Sequence, residues 1–264
     1  MKFLLRIQVR NLIITLHRLV NNIQALEIFF SVFLKLLWRL TPCIFQFTRT
    51  ISVDKSLIAF RPFILSDLQV ISPNFEPDVR TVFQPKPNER IIDVGAHIGL
   101  YTIIAGRKVG SNGKVISIEP DTSNLFVLKK NIAINELKNT IVLPIALGCA
   151  NGRKKFYGGI MPTGSSFYPT PTRALYKVRE TKQMATVTLD KLLEELKISD
   201  VDWIKIDVEN ADLDVLRGGE SLLQNSRKVK IIIEVSNNKT LEFLKKFGFQ
   251  IRQLSSSYHF AFKN

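Results

Sequence analysis

Asp93, Gly95, Gly99 and Glu119 have the residue types and spacing of a nucleoside-binding site. Arg90-Ile91-Ile92-Asp93-Val94 is an apolar run with one acid near its end, and Gly95-Ala96-His97-Ile98-Gly99 leads from it into a helix-like pattern. The run reads as a buried parallel strand and the glycines as the turn into a helix. Glycine lets the backbone come close to a ligand. A helix N-terminus offers unpaired N–H groups to an anionic group. The Gly-x-x-x-Gly spacing differs from the G-x-G-x-x-G of dinucleotide sites. A second apolar run, Lys114-Val115-Ile116-Ser117-Ile118, ends at Glu119-Pro120, 26 residues after Asp93. An acid at that strand end can accept both hydroxyls of a ribose.

Two later segments supply groups for proton transfer. Trp203-Ile204-Lys205-Ile206-Asp207-Val208-Glu209 and Lys230-Ile231-Ile232-Ile233-Glu234 both carry acids where a strand should end. Ligands of an open parallel sheet sit at such ends. Four acids there, Asp93, Glu119, Asp207 and Glu234, would repel one another and lose hydration unless a ligand used them. Asp207 or Glu209 is the candidate general base, with Lys205 orienting them.

The elements that position these groups alternate between strand and helix, which argues for a doubly wound α/β sheet. Strands are expected at Arg90–Val94, Lys114–Ile118, Thr140–Ala146, Trp203–Asp207 and Val229–Val235. Asp121, Thr122 and Ser123 can cap a helix through Ala133, and further helices are expected at Leu189–Leu196 and Asp212–Leu223. Phe249–Leu254 and Tyr258–Lys263 flank three serines and read as a closing antiparallel hairpin. Gly152–Tyr157 reads as an extra strand, and residues 158–167 as a glycine-rich loop. Loops of that length in a compact domain are usually functional or disordered. Residues 51–88 read as an irregular lead-in with one short helix near Glu76–Phe83, closed by Pro85 and Pro87.

Five motifs in order give a family resemblance. The Asp93-Val94-Gly95-Ala96 turn, Ile118-Glu119-Pro120, Thr188-Leu189-Asp190, Lys205 to Glu209 with Val215-Leu216-Arg217-Gly218-Gly219, and Ile233-Glu234-Val235 together resemble the FkbM-type methyltransferases. The resemblance runs from about Ser72 to the C-terminus. It implies a class I methyltransferase fold, with a mostly parallel seven-stranded sheet in the order 3-2-1-4-5-7-6 and S-adenosylmethionine (SAM) as cofactor. It implies cofactor contacts at Asp93, Gly95, Ala96, His97, Gly99, Glu119, Pro120, Ala146, Leu147 and Asp207, and acceptor contacts at Ser165, Ser166 and Glu234. The implied reaction is O-methylation of a sugar, glycan or glycolipid hydroxyl. An RNA- or nitrogen-directed methyltransferase and a non-catalytic SAM- or glycan-binding module are the alternatives. Four positions depart from the family pattern: His97 replaces Asn, Asn210 replaces Gly, Asp212 replaces Glu and Ser236 replaces His. Asparagine tolerates the left-handed backbone better than most residues, so Asn210 can stand in for glycine.

Composition bounds the rest. The 264 residues suffice for one α/β domain and an appendage, and 45% hydrophobic content suffices for a core. Cys43 and Cys149 lack metal-ligand spacing and read as free thiols of a reducing, cytoplasmic compartment, with no metal site. The formal net charge of +14 suits anionic partners, but no RNA-binding motif accompanies it, so nucleic acid is not the expected partner. Residues 1–50 form a separate unit, with 51–88 as the lead-in and 89–264 as the methyltransferase domain. The first fifty residues carry seven Lys/Arg against Glu27 alone, among dense aliphatic and aromatic residues. Only seven uncharged residues separate Glu27 from Lys35, too few to cross a bilayer. A basic amphipathic helical extension fits either the inner face of an anionic membrane or packing on protein, including a second copy in a homo-oligomer.

Overall fold

The structure is a computed structural model that describes residues 47–159 and 178–263, with the backbone alone at 157–159 and 178–182. The expected helices of residues 1–40, Cys43, Ser165 and Ser166 therefore lie outside the described residues. Thr48–Asn264 forms one compact unit by its internal contacts.

The described elements run β1 (Arg49–Val53), β2 (Ser56–Phe60), α1 (Leu65–Val70), α2 (Pro77–Val82), β3 (Arg90–Val94), α3 (Leu100–Val109), β4 (Lys114–Ile118), α4 (Thr122–Ile134) and β5 (Thr140–Leu143). They continue through β6 (Ala146–Leu147), β7 (Gly152–Gly159), β8 (Val178–Val187), α5 (Leu189–Glu195), β9 (Trp203–Ile206), α6 (Asp212–Arg217) and α7 (Glu220–Asn225). The chain closes with β10 (Lys230–Glu234), α8 (Asn238–Lys246), β11 (Gln250–Gln253) and β12 (Tyr258–Phe262).

Seven strands form the main sheet in the order β11-β12-β10-β9-β3-β4-β5. The pairs from β10 to β5 are parallel, and β12 is antiparallel to both β10 and β11. This is the 3-2-1-4-5-7-6 order, a class I methyltransferase sheet. The continuous apolar runs of the central strands follow from burial on both faces. Ile92, Val94, Ile116, Ile118, Ile204 and Ile206 pack on one side with Leu189, Leu216 and Leu223. Ile91, Val115, Trp203 and Ile232 pack on the other, with Val53, Ile58, Val79 and Phe83.

That second layer corrects the reading of residues 51–88 as irregular. They hold a hairpin and two helices rather than one short helix, and they are part of the core. Asn131 and Asn135, one turn apart on and just after α4, act like a strand partner for β2. Asn131 Nδ2 donates to the carbonyls of Ala59 (2.9 Å) and Ile98 (2.7 Å), and its Oδ1 accepts from the Ala59 N–H. Asn135 Nδ2 donates to the Leu57 carbonyl at 2.6 Å and its Oδ1 accepts from the Leu57 N–H at 3.1 Å. The hairpin is too short and too polar in periodicity for the strand pattern to announce it. Its place is set by these side-chain amides from a helix more than seventy residues away.

Three further differences are local. The third strand stops at Leu143, and Ala146–Leu147 joins a separate three-stranded sheet with β8 and β7. Val178–Val187, a polar stretch with little apolar alternation, supplies the middle strand of that sheet. The expected helix Asp212–Leu223 is two helices, broken at Gly218-Gly219. A Cβ on Gly218 would meet the Gly148 carbonyl oxygen at 2.2 Å, so the chain needs glycine there for close approach. Asp190 then caps the second helix across space, accepting from the N–H groups of Ser221 (2.8 Å) and Leu222 (2.9 Å). The Thr188-Leu189-Asp190 motif thus has a structural use, holding the Gly218-Gly219 turn.

Candidate functional site

A cavity of about 220 Å³ opens at the C-terminal ends of β3, β4 and β9. Asp93, Gly95, Ala96, His97, Glu119, Pro120, Ala146, Leu147, Lys205, Asp207 and Glu209 all line it. Gly99 lies just behind, as the N-cap of α3. Glu234 is outside the lining but joins the cluster through a side-chain hydrogen bond with Asp207.

The turn after β3 explains its glycines. Gly95 has φ +80° and Gly99 φ +94°, which L side chains rarely adopt. A Cβ on Gly95 would stand 1.9 Å from the Asp207 carbonyl oxygen. The two strand ends can therefore touch only if residue 95 has no side chain. His97 and Asn210 also take left-handed conformations, at φ +52° and +58°. For Asn210 this is the expected stand-in for glycine.

Glu119 is buried, and its two oxygens each accept one backbone hydrogen bond at 2.8 Å, from His97 and from Asp121. Asn124 Nδ2 also donates to Oε1 at 3.5 Å, so the second lone pair of Oε2 is the acceptor position that remains. Burial pushes the Glu119 carboxyl up to about 7, outweighing the two N–H groups that favour its charged form.

Sheet register builds the polar floor. Asp93 is the Cα partner of Ser117 on one side and of Lys205 on the other, so the three side chains share one face. Asp93 Oδ2 accepts from Thr102 Oγ1 at 2.6 Å, and Thr102 and Ser117 hydroxyls are 2.7 Å apart. Asp93 Oδ1 is buried with no hydrogen-bond partner. Burial raises the Asp93 carboxyl, against the opposing pull of Lys205.

Lys205 resolves the problem of clustered acids. Its side chain is only 3% exposed and its Nζ donates to Asp207 Oδ2 at 2.7 Å, lying 4.5 Å from the Tyr101 ring centre. Burial alone would lower this ammonium, but Asp207, Glu76 and Asp93 more than reverse that and raise it. Burial would raise Asp207, but the Lys205 charge and hydrogen bonds from Lys205, Glu234 and Tyr258 hold it below the usual carboxylate range. Asp207 keeps 30% of its side chain exposed, so it remains reachable from the cavity. Glu234 is pushed up to about 8 by burial and by its neighbour Asp207.

Four functional-site groups were not expected from sequence. Glu76 precedes α2 at φ +46°, and its side chain does not cap that helix. Instead its Oε2 accepts from the Tyr101 hydroxyl at 2.6 Å, and its Oε1 lies 3.0 Å from the Tyr258 hydroxyl. Tyr258 Oη is also 2.8 Å from Asp207 Oδ2. The fourth is the Arg61–Asp67 pair, fully buried, with Arg61 Nη2 at 2.7 Å from Asp67 Oδ1 and 2.8 Å from Asn124 Oδ1. It ties the lead-in to the N-terminal turn of α4 beside Glu119. His97 Nε2 lies 3.6 Å from Asp67, and burial holds the imidazole below its ordinary pKa, so it is neutral. Among these, only Tyr258 lay in a segment that the sequence marked, the second strand of the closing hairpin.

Among the described residues, no group of three or more His, Cys, Asp or Glu is arranged to hold a metal ion, and no helix is long and apolar enough to cross a membrane.

Comparison with known proteins decides the family. The model of the Methyltransferase FkbM domain matches residues 93–261, more than half of the chain. The chain belongs to the FkbM methyltransferase family. Its curated relatives include Methyltransferase sdnD of Sordaria araneosa, 27% identical over 157 residues. Methyltransferase 1 of Beauveria bassiana (strain ARSEF 2860) is 26% identical over 159 residues. These matches cover 50% and 51% of this chain and span 60% of the length of each relative. Among solved structures, Methyltransferase FkbM from Methylobacillus flagellatus KT is similar at a TM-score of 0.47 and 18% identity, over 75% of this FkbM chain and 54% of that one.

Proposed function

We propose that this FkbM methyltransferase uses SAM to methylate a hydroxyl of a sugar, glycan or glycolipid. The observation that carries the reading is the carboxylate Asp207, held ionised by Lys205 and Tyr258, at the mouth of the glycine cradle. The cavity residues fit the cofactor. Gly95 lets the turn close on the Asp207 backbone at the edge of the cavity, Glu119 Oε2 keeps an acceptor position for a ribose hydroxyl, and Asp93 Oδ1 lacks a partner and suits an ammonium group. Ile118, Ala146, Leu147 and Phe156 offer an apolar wall for a purine.

Bound there, SAM supplies an electrophilic methyl group on a sulfonium centre. The protein's tasks are alignment and proton removal. Asp207 takes the acceptor's proton, Lys205 fixes the position of that carboxylate, and Glu209 at the rim is the second candidate. A carboxylate of depressed pKa suffices, because the hydroxyl proton becomes strongly acidic once its oxygen begins to bond carbon. With Glu234 pushed up to about 8 and Glu76 raised, Asp207 and Glu209 against Lys205 leave the described acceptor side with a weak negative balance, which favours a neutral polyhydroxyl acceptor over an anionic one. Ser165 and Ser166 are proposed to contact that acceptor.

The test is calorimetry with SAM and with NAD, followed by labelled methyl transfer onto glycan and lipid fractions. The expected result is SAM binding and label in an ether that survives alkali. Preferential NAD binding, or label only in RNA or amines, overturns the reading.

Residues 1–50 are proposed to attach the protein to the inner face of an anionic membrane. Each basic residue near the headgroups contributes about 1 kcal/mol, so attachment should weaken with salt. Full-length protein is expected to float with anionic liposomes, and a chain starting near Ile51 is not. A full-length protein that ignores anionic liposomes makes the segment a protein-packing element instead.

A further inference from the structure

Tyr258 presents one hydroxyl proton to two carboxylates. Its Oη is 2.8 Å from Asp207 Oδ2 and 3.0 Å from Glu76 Oε1. A phenol donates once and otherwise accepts. The two contacts can both be hydrogen bonds only if one of the two carboxyls carries a proton and donates it to Tyr258. A second pair makes the same demand, since Asp207 and Glu234 share a side-chain hydrogen bond.

The fold assembles this chain of groups from four distant segments. Tyr258 is the direct cross-strand partner of Glu234 in the β10–β12 register. Asp207 follows β9, and Glu76 reaches in from the lead-in. Glu76 holds a left-handed φ of +46° that costs free energy for a non-glycine residue, and its side chain leaves α2 uncapped to meet the tyrosines. Glu76 is half-buried, so the far end of the chain is in reach of water.

We propose that Tyr258 and Glu76 form the exit path for the proton taken from the acceptor, with Tyr258 as the conduit and Glu76 as the outlet. The proposal rests on Asp207 as the base. The acceptor O–H breaks as the O–CH3 bond forms, and its proton goes to Asp207. At rest Asp207 is ionised, so Glu76 carries the proton that the two contacts require. Once Asp207 is protonated, Glu76 gives that proton to water, and the Asp207 proton then passes to Tyr258 Oη while the phenol's own proton passes to Glu76. Tyr258 remains neutral throughout, consistent with burial and the surrounding carboxylates, which raise its pKa far above neutrality. The cycle ends with Glu76 protonated again and Asp207 again a carboxylate. Burial raises the Glu76 carboxyl above the usual range, against Lys205, so it can hold a proton in transit. The charged and titratable groups facing this path are Lys205, Asp93, Asp207, Glu209 and Glu234 from the strand ends, with Tyr101, Arg80 and His97 from the surrounding turns and helices.

The test needs no acceptor. Carboxyl carbons of Glu and Asp are labelled with 13C in the full-length protein without SAM, and their NMR shifts are followed with pH. Glu76 and Asp207 are expected to titrate as a coupled pair, each curve carrying an inflection from the other. Tyr258→Phe keeps the ring and removes the link, so each curve should lose the partner's inflection. Glu76→Gln should remove it from Asp207 while the protein still binds SAM. Unchanged curves in Tyr258→Phe overturn the conduit whatever the rate. With an acceptor in hand, both variants should lower kcat roughly 10-fold or more, with KM for SAM nearly constant. Coupled curves with a wild-type rate in both variants also overturn it. If Asp207→Asn retains wild-type turnover, the base assignment fails instead, and that outcome is separate from the titration result.

Discussion

Replacing Asp207 with Asn is expected to lower methyl transfer at least about 10²-fold while SAM affinity stays nearly intact. The amide keeps the shape and can still accept from Lys205, but it cannot take a proton. The measurement is single-turnover transfer at saturating SAM, beside calorimetry. The structure sharpens the choice between the two candidate acids. Asp207 has a lysine, a tyrosine and Glu234 on it, whereas Glu209 is exposed at the rim. Glu209→Gln is therefore expected to cost much less. If both amides turn over like the wild type, Glu234 becomes the base.

Replacing Glu119 with Ala is expected to weaken SAM binding roughly 10- to 150-fold, the equivalent of about 1.5–3 kcal/mol for hydrogen bonds to a charged group. The pH dependence gives an independent check. Burial holds the folded carboxyl at about 7, above its ordinary value of 4.5. Between those values the folded state binds more protons than the unfolded state, so this group makes the ligand-free protein less stable as pH rises. The whole effect is on the order of 3 kcal/mol. Ribose hydroxyls favour the ionised form as acceptors, so SAM affinity should rise from pH 6 to pH 8. Calorimetry over that range, and thermal melts without SAM, test both signs. A SAM affinity independent of pH in the wild type, or unchanged in Glu119→Ala, removes Glu119 from the cofactor site.

The glycine turn and the acid beside it were legible in the sequence because they are local. A strand, a glycine turn and an acid at the next strand end lie within thirty residues, and each obeys a backbone rule. Gly95 and Gly99 take positive φ, and Glu119 binds the turn that the spacing implied. The five parallel strands were legible for the same reason, since burial on both faces leaves long β-branched runs. The strand order came from the family resemblance, and the observed pairing matches it.

The rest of the site was decided by tertiary structure. Nothing near Glu76 in the chain marks it, because its partners Tyr101 and Tyr258 are 25 and 182 positions away. Arg61 and Asp67 read as loop charges until burial makes them a pair that must be satisfied. The polar row Ser117, Asp93 and Lys205 exists only through register, which sets residues from three strands side by side. The chain alone determined which acids stand at strand ends. Their protonation depends on burial and on neighbours that arrive from elsewhere, and those are properties of the folded packing.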